Sequence, residues 1–254
     1  MAKKTHIKVS GAWKPCTSVW TKVSGTWKAD VMLHLKVSGV WKECMSYGSD
    51  RLYYAESGTD KYYELNPDTL ASINSASSPD ERPTGGGGIS GRLNGGGGLL
   101  NKNYEFNKDT LAVITAANAQ GSYHGGIGGM EDRLFHCDHG TDKIYELNEN
   151  TLASVDNNDS PYSQPRDIGG MLDRLFNCDS SYHRIVELNT STFAVIDYVS
   201  TGTDPNGIGG MNDRLYHCDY GADELYELNT TTLAIIETVS AQSDRPQGIG
   251  GVKV

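Results

Sequence analysis

Apolar and polar residues along this chain alternate in short runs broken by Gly, Asn, Asp, Ser and Thr. No run sustains a helical period, and the two-residue alternation is that of strands. The runs also recur. The Arg of an Arg-Leu pair stands at Arg51, Arg92, Arg133, Arg174 and Arg214, at spacings of 41, 41, 41 and 40. An Asn follows fifteen residues later (Asn66, Asn107, Asn148, Asn189, Asn229) and a Thr three beyond that (Thr69, Thr110, Thr151, Thr192, Thr232). There are thus five copies, with those over residues 44–84 and 85–125 the most worn. Each copy holds four segments of β character, which in the third read "GIGGM", "RLFHCD", "KIYELN" and "TLASVD". Tight turns such as "MED" and "NENT" separate them, the latter with Asn and Thr placed to bond their own backbone.

Four antiparallel strands every 41 residues predict one blade of a β-propeller per copy, and so an all-β, five-bladed ring over residues 45–254. The unit "DRLYHCDYGADELYELNTTTLAIIETVSAQSDRPQGIGG" resembles the blade of NHL- and YVTN-type propellers, a likeness that covers residues 44–254 and implies a fold but no particular activity. Glycine pairs (Gly128 and Gly129, Gly169 and Gly170, Gly209 and Gly210) allow inner strands to approach closely near a crowded axis. The chain ends on "GIGGVKV", an extra first strand with no blade after it. Residues 249–254 are expected to pair into the first blade and close the ring, with residues 44–49 as the other candidate for that slot. In the second copy, glycine occupies residues 95–98 after another run at 85–88. That leaves either a loosely built blade or, as the preferred expectation, a close contact with a neighbouring chain.

Residues 1–44 form a different module. "KVSGAWK", "KVSGTWK" and "KVSGVWK" repeat with a period of 14, and Ser-Gly between β-rich flanks predicts three hairpins. Trp13, Trp27 and Trp41 share one point of the period. So short a segment has little core of its own, so these indoles are expected to pack on the propeller or on another subunit. The "VSGxWK" series resembles short repeats at the front of bacteriophage tail and tail-fibre proteins. That resemblance implies an anchor to other tail proteins, an oligomeric setting, and a protein made in the host cytoplasm and carried in the virion.

Charge sharpens the division. Residues 1–44 carry eight Lys against Asp30 and Glu43, whereas the remainder carries 14 basic and 30 acidic residues. An acidic body argues against nucleic acid as partner. No apolar run is long enough to span a membrane, and "MAKKTHIKVSG" lacks the apolar stretch of a secretion signal. Of the five cysteines, Cys137, Cys178 and Cys218 take equivalent places, as small buried apolar residues do; there is no CxxC pair for zinc.

Turns on one face of the ring are nearly uniform between copies. Those on the other differ: "DHGTD", "DSSYH" and "DYGAD" within blades, "NNDSPYSQPRD", "STGTDPN" and "SAQSDRPQ" between them. The variable face is the expected recognition surface. Its candidate ligand residues are Tyr123, His124, His139, Tyr162, Arg166, Tyr182, His183, Tyr220 and Arg245, whose rings and polar groups suit a glycan. The repeated Glu64, Glu105, Glu146, Glu187 and Glu227 are expected to pair with the repeated Arg or to face solvent. A ring of equivalents does not provide the divergent pair that catalysis needs. Glu56, Asp138, Asp179 and Asp219 are expected to cap turns, and no metal or cofactor is expected. "HCD" mimics a catalytic triad in letters only, because adjacent strand residues point to opposite faces. A host-attachment disc without enzymatic activity is the leading expectation. A cellular lectin or scaffold is the alternative, with a glycan-degrading enzyme last.

Overall fold

A computed structural model describes residues 50–252 apart from Gly202 and Asn212, and within residues 1–49 the backbone of six strands. The chain divides into Met1–Ser49 and Asp50–Val254. In the first unit the six strands pair antiparallel two by two: His6–Val9 with Ala12–Pro15, Trp20–Val23 with Thr26–Ala29, and Leu33–Val37 with Val40–Met45. The side chains of Trp13, Trp27 and Trp41, on which the packing expectation rested, lie outside the described residues, as do residues 46–49.

The second unit is five four-stranded antiparallel sheets, a five-bladed β-propeller with no helix among the described residues. From the axis outward, the second blade is Pro83–Ile89, Arg92–Gly97, Lys102–Phe106 and Val113–Asn118. The third is His124–Met130, Arg133–Asp138, Lys143–Leu147 and Ser154–Asp159. The fourth is Pro165–Met171, Arg174–Asp179, Arg184–Leu188 and Val195–Ser200, and the fifth Pro205–Met211, Arg214–Asp219, Glu224–Leu228 and Ile235–Ser240. The first blade takes its inner strand from the far end of the sequence. Pro246–Val252 pairs with Arg51–Glu56, Val252 opposite Arg51, and is followed outward by Lys61–Leu65 and Ser72–Ser77. Of the two segments that the sequence offers for this slot, the later one fills it, but the strand starts at Pro246, three residues before the expected 249–254.

Each blade is buried on both sides, so its middle strands lose the alternation of a half-exposed sheet. Leu134, Phe135, His136, Cys137 and Asp138 are all buried. The core lies between blades: Phe135, Cys137 and Ile144 of the third pack with Ile168, Leu175, Val186 and Leu188 of the fourth. The inner strands touch through glycine. A Cβ on Gly169 would stand 2.5 Å from the carbonyl oxygen of Ile208.

The outer strand departs from the pattern read in the sequence. It begins at Ser154, not Thr151, because "NENTL" closes a turn instead of starting a strand. Asn148 Oδ1 accepts the amides of Asn150 and Thr151, its carbonyl accepts that of Leu152, and Leu152 takes a left-handed φ of 57° with its side chain buried. Leu70, Leu111, Phe193 and Leu233 repeat that conformation. An apolar residue there plugs the gap between blades, which explains why the turn tolerates backbone strain.

The glycine run of the second blade is also corrected. It neither loosens the blade nor receives another chain, since residues 95–97 are buried under side chains of the same propeller. A Cβ on Gly95 would meet the Tyr62 hydroxyl at 2.5 Å, and one on Gly96 would meet His124 Cε1 at 2.1 Å. Tyr62, fully buried, donates to the carbonyl of Gly96 at 2.7 Å.

Candidate recognition face of the propeller

The two ends of the axis are built differently. At the uniform end, every repeated Arg forks onto the repeated Glu of its own blade, as in Arg51 Nε and Nη2 on Glu64 Oε1 and Oε2 at 2.6 and 2.5 Å. Pairing therefore, not solvent exposure, accounts for the repeated carboxylates. The remaining Nη1 reaches the Asn turn of the next blade: Arg51 to Asp109, Arg92 to Asn150, Arg133 to the Thr190 carbonyl, Arg174 to the Thr230 carbonyl, Arg214 to Asp68. The fifth contact returns to the first blade. The fork needs the same Arg and Glu in each copy, which is a physical reason for the uniformity of this face, while the third contact takes Asp, Asn or a backbone carbonyl.

At the other end run the loops within blades and the links between them. The last residue of each inner loop (Asp60, Asn101, Asp142, His183, Asp223) is left-handed, with φ from 51° to 56°. The Oδ1 of Asp60, Asp142 and Asp223 accepts the amides of Arg82, Gln164 and Arg245 at 3.0, 2.8 and 2.7 Å. Those three also have positive φ, 72°, 60° and 70°, although each precedes proline, where the α regions are disfavoured. The scaffold thus imposes a strained conformation on rim residues. The acids ending the second strands support the same loops: Asp138 Oδ1 accepts the amides of Gly140 and Thr141, Asp219 Oδ1 those of Gly221 and Ala222, and Asp179 Oδ1 that of Tyr182.

Within this rim lies a depression of about 450 Å3 on the axis, a size typical of small-molecule sites. Arg82 and Thr84 enter from the link into the second blade, Tyr123, His124 and His139 from the third, and Arg166 from the fourth. Asp204, Asn206 and Tyr220 come from the fifth, with Arg245, Gln247 and Ser57 from the first. Beneath it, the axis is filled by Ile127, Ile168, Ile208 and Ile249 with the glycine pairs, leaving no space for water. The depression is therefore blind. At the far end a separate hollow of about 250 Å3 is lined by Met130, Met171 and Met211 with Glu131 and Asp173.

Several groups around the depression break the repeat. His124 stands where the other inner strands have Pro83, Pro165, Pro205 and Pro246. It is buried, with Nδ1 2.9 Å from Thr84 Oγ1 and Nε2 2.6 Å from Asn103 Oδ1. Burial holds its pKa well below the ordinary histidine value, and His136 adds to that effect. Asp167 replaces the glycine found at Gly85, Gly126, Gly207 and Gly248. Its carboxylate oxygens accept the amides of Ile168 at 2.9 Å and Ile208 at 3.1 Å. Burial raises the Asp167 pKa far above the usual carboxylate range, while amide donation, including that of Ile249, acts in the opposite direction. Tyr123 stacks on His139 with centroids 5.3 Å apart, and burial and the nearby Arg166 lower the pKa of His139. Burial raises that of Asp204.

Six of the nine residues expected to meet a ligand therefore line one depression: Tyr123, His124, His139, Arg166, Tyr220 and Arg245. Tyr162 and Tyr182 gather instead around Arg184, whose guanidinium lies 5.4 and 5.5 Å from their ring centroids and 4.2 Å from that of Tyr198. His183 closes its loop. The sequence reading passed over Arg82, Asp204, Asn206 and Gln247, which flank the proline that opens an inner strand. The recurring x-Pro-x in "RPT", "DPN" and "RPQ" was the available signal. Cys137, Cys178 and Cys218 are buried free thiols whose pKa burial pushes up. Among the described residues no cluster of His, Cys, Asp and Glu has the makings of a metal site.

No protein-family model and no curated protein matches the chain. Solved structures do share the fold. A chain of a nidogen/laminin complex superposes with a TM-score of 0.58 at 11% identity, covering 80% of this chain and 98% of that one. Glutaminyl cyclase of Myxococcus xanthus gives 0.55 at 10% identity, covering 66% and 89%. At this identity the likeness shows the β-propeller fold alone.

Proposed function

We propose that the chain is a recognition protein of a bacteriophage tail, its hairpin module the anchor and its propeller a host-attachment disc that binds a surface glycan without chemical turnover. The observation that carries this reading is the contrast between the two ends of the axis. One is held uniform by Arg-Glu latches, and the other gathers unlike polar and aromatic groups around a blind depression. Uniformity serves the ring, whereas divergence on strained, well-supported loops serves binding. The tail assignment draws on the "VSGxWK" repeats of residues 8–42. Their short, basic, hairpin-forming character suits docking on other tail proteins better than an independent function.

The test has two readouts. Antibody to this chain should label purified particles, and the full chain should adsorb to host cells in competition with those particles. Labelled particles with no adsorption would leave a structural tail component. Absence from particles, with glycan binding retained, would move the protein to the cellular lectin reading.

A further inference from the structure

Resting on that recognition reading, we infer that the axial depression takes an acidic sugar, a hexose-sized ring bearing a carboxylate. The inference starts from the arginines. Residues 45–254 contain nine: Arg51, Arg82, Arg92, Arg133, Arg166, Arg174, Arg184, Arg214 and Arg245. Five are forked onto the repeated glutamates. Of the other four, Arg184 lies among three tyrosine rings, and Arg82, Arg166 and Arg245 all line the depression. None of those three has an ion pair among the described residues. Arg166 Nε donates to Ser180 Oγ at 2.8 Å, which leaves its terminal nitrogens for other partners, and the Arg245 guanidinium lies 6.0 Å from the ring centroid of Tyr220.

The lining of the depression holds three arginines and one carboxylate, Asp204, an excess of positive charge in a propeller whose body carries 30 acidic and 14 basic residues. The opposite hollow has Glu131 and Asp173 instead. An anion is thus drawn to one end of the axis and repelled from the other. The guanidinium fork matches a carboxylate in two parallel bonds. Asn206, Gln247 and Asp204 offer partners to ring hydroxyls, and Tyr123 and Tyr220 offer flat faces to the ring. The floor of isoleucine and glycine keeps the ligand shallow, consistent with a terminal or branching residue of a surface polysaccharide.

The experiment is titration calorimetry of the full chain with glucuronate- and sialate-terminated oligosaccharides, their neutral hexose-terminated counterparts, and a hexose-phosphate. Carboxylated ligands should bind about tenfold or more tightly than neutral ones, the worth of one charge-assisted pair. Salt should weaken them. R245Q and R166Q should each remove about tenfold of that affinity while R184Q leaves it unchanged, all three with the wild-type melting temperature. Neutral sugars binding equally well, with R245Q and R166Q silent, would overturn the acidic-sugar assignment and leave glycan attachment standing. Tighter binding of the phosphate would overturn the carboxylate. Adsorption to host cells with no saccharide bound would also overturn the assignment, assigning the face to a protein receptor.

Discussion

Asp167 is the side chain on which the inner strands converge. It fills, with a carboxyl, a slot that four other copies leave to glycine, and it gathers amides from its own blade and from the fifth and first. Its pKa is raised by burial, so the folded state holds the proton more firmly than the unfolded chain does. By linkage, the stability that this proton contributes is complete below the unfolded value of about 3.9 and declines as pH rises toward the folded one. In Asp167→Asn that decline should vanish, so the urea midpoint at pH 8, taken relative to that at pH 5, should be higher in the variant than in the wild type. An unchanged difference would mean that another group carries it. His124, His136 and His217 act in the opposite sense, since burial lowers each pKa. They remove stability as pH falls below about 6.5, so His124→Gln should flatten the acid limb of the same measurement.

Between strands, the repeat is legible where it is obeyed and misleading where it is broken. The Arg-Leu spacing, the Asn turn and the surplus final strand are each visible as a recurring letter, because one backbone arrangement has to be satisfied five times. The left-handed residue after each Asn turn, Leu in four copies and Phe193 in the other, was read as strand, since an apolar residue beside Ala carries no mark of its φ. The glycines of the second blade were misread for a different reason. Their cause lies about 30 residues away on either side, in Tyr62 and His124, and only the ring brings these together. That explanation predicts a specific coupling. Gly96→Ala alone should cost about 1–3 kcal/mol, as overpacking does. In a His124→Ala background it should cost markedly less, for a coupling energy of about 1 kcal/mol or more. Additive effects in a double-mutant cycle of denaturation midpoints would show that His124 is not what the glycine accommodates.

Besides the core between blades, two devices hold the ring, and they should fail differently. The Arg latches are distributed and partly exposed, so loss of one is local. Arg174→Ala should lower stability by about 1–2 kcal/mol, leaving a single transition, because the bonds it removes are charge-assisted but not deeply buried. The final strand is a single closure. Pro246–Val252 pairs with Arg51–Glu56, and its glycines pack against the inner strands of the fifth and second blades, where a Cβ on Gly248 would meet Gly85 Cα at 2.4 Å. Without it Leu52, Tyr53, Tyr54 and Ala55, all fully buried in the intact ring, would sit on an open edge. Truncation after residue 245 should therefore abolish the sharp unfolding transition and expose apolar surface to a reporter dye. A synthetic peptide of residues 246–254 should restore both in proportion to its concentration, since it binds only the folded blade. If the truncated chain kept its midpoint, each blade would be stable on its own contacts and closure would be incidental. The inter-blade clusters argue otherwise, because no blade holds enough apolar surface within itself to stand without its neighbours.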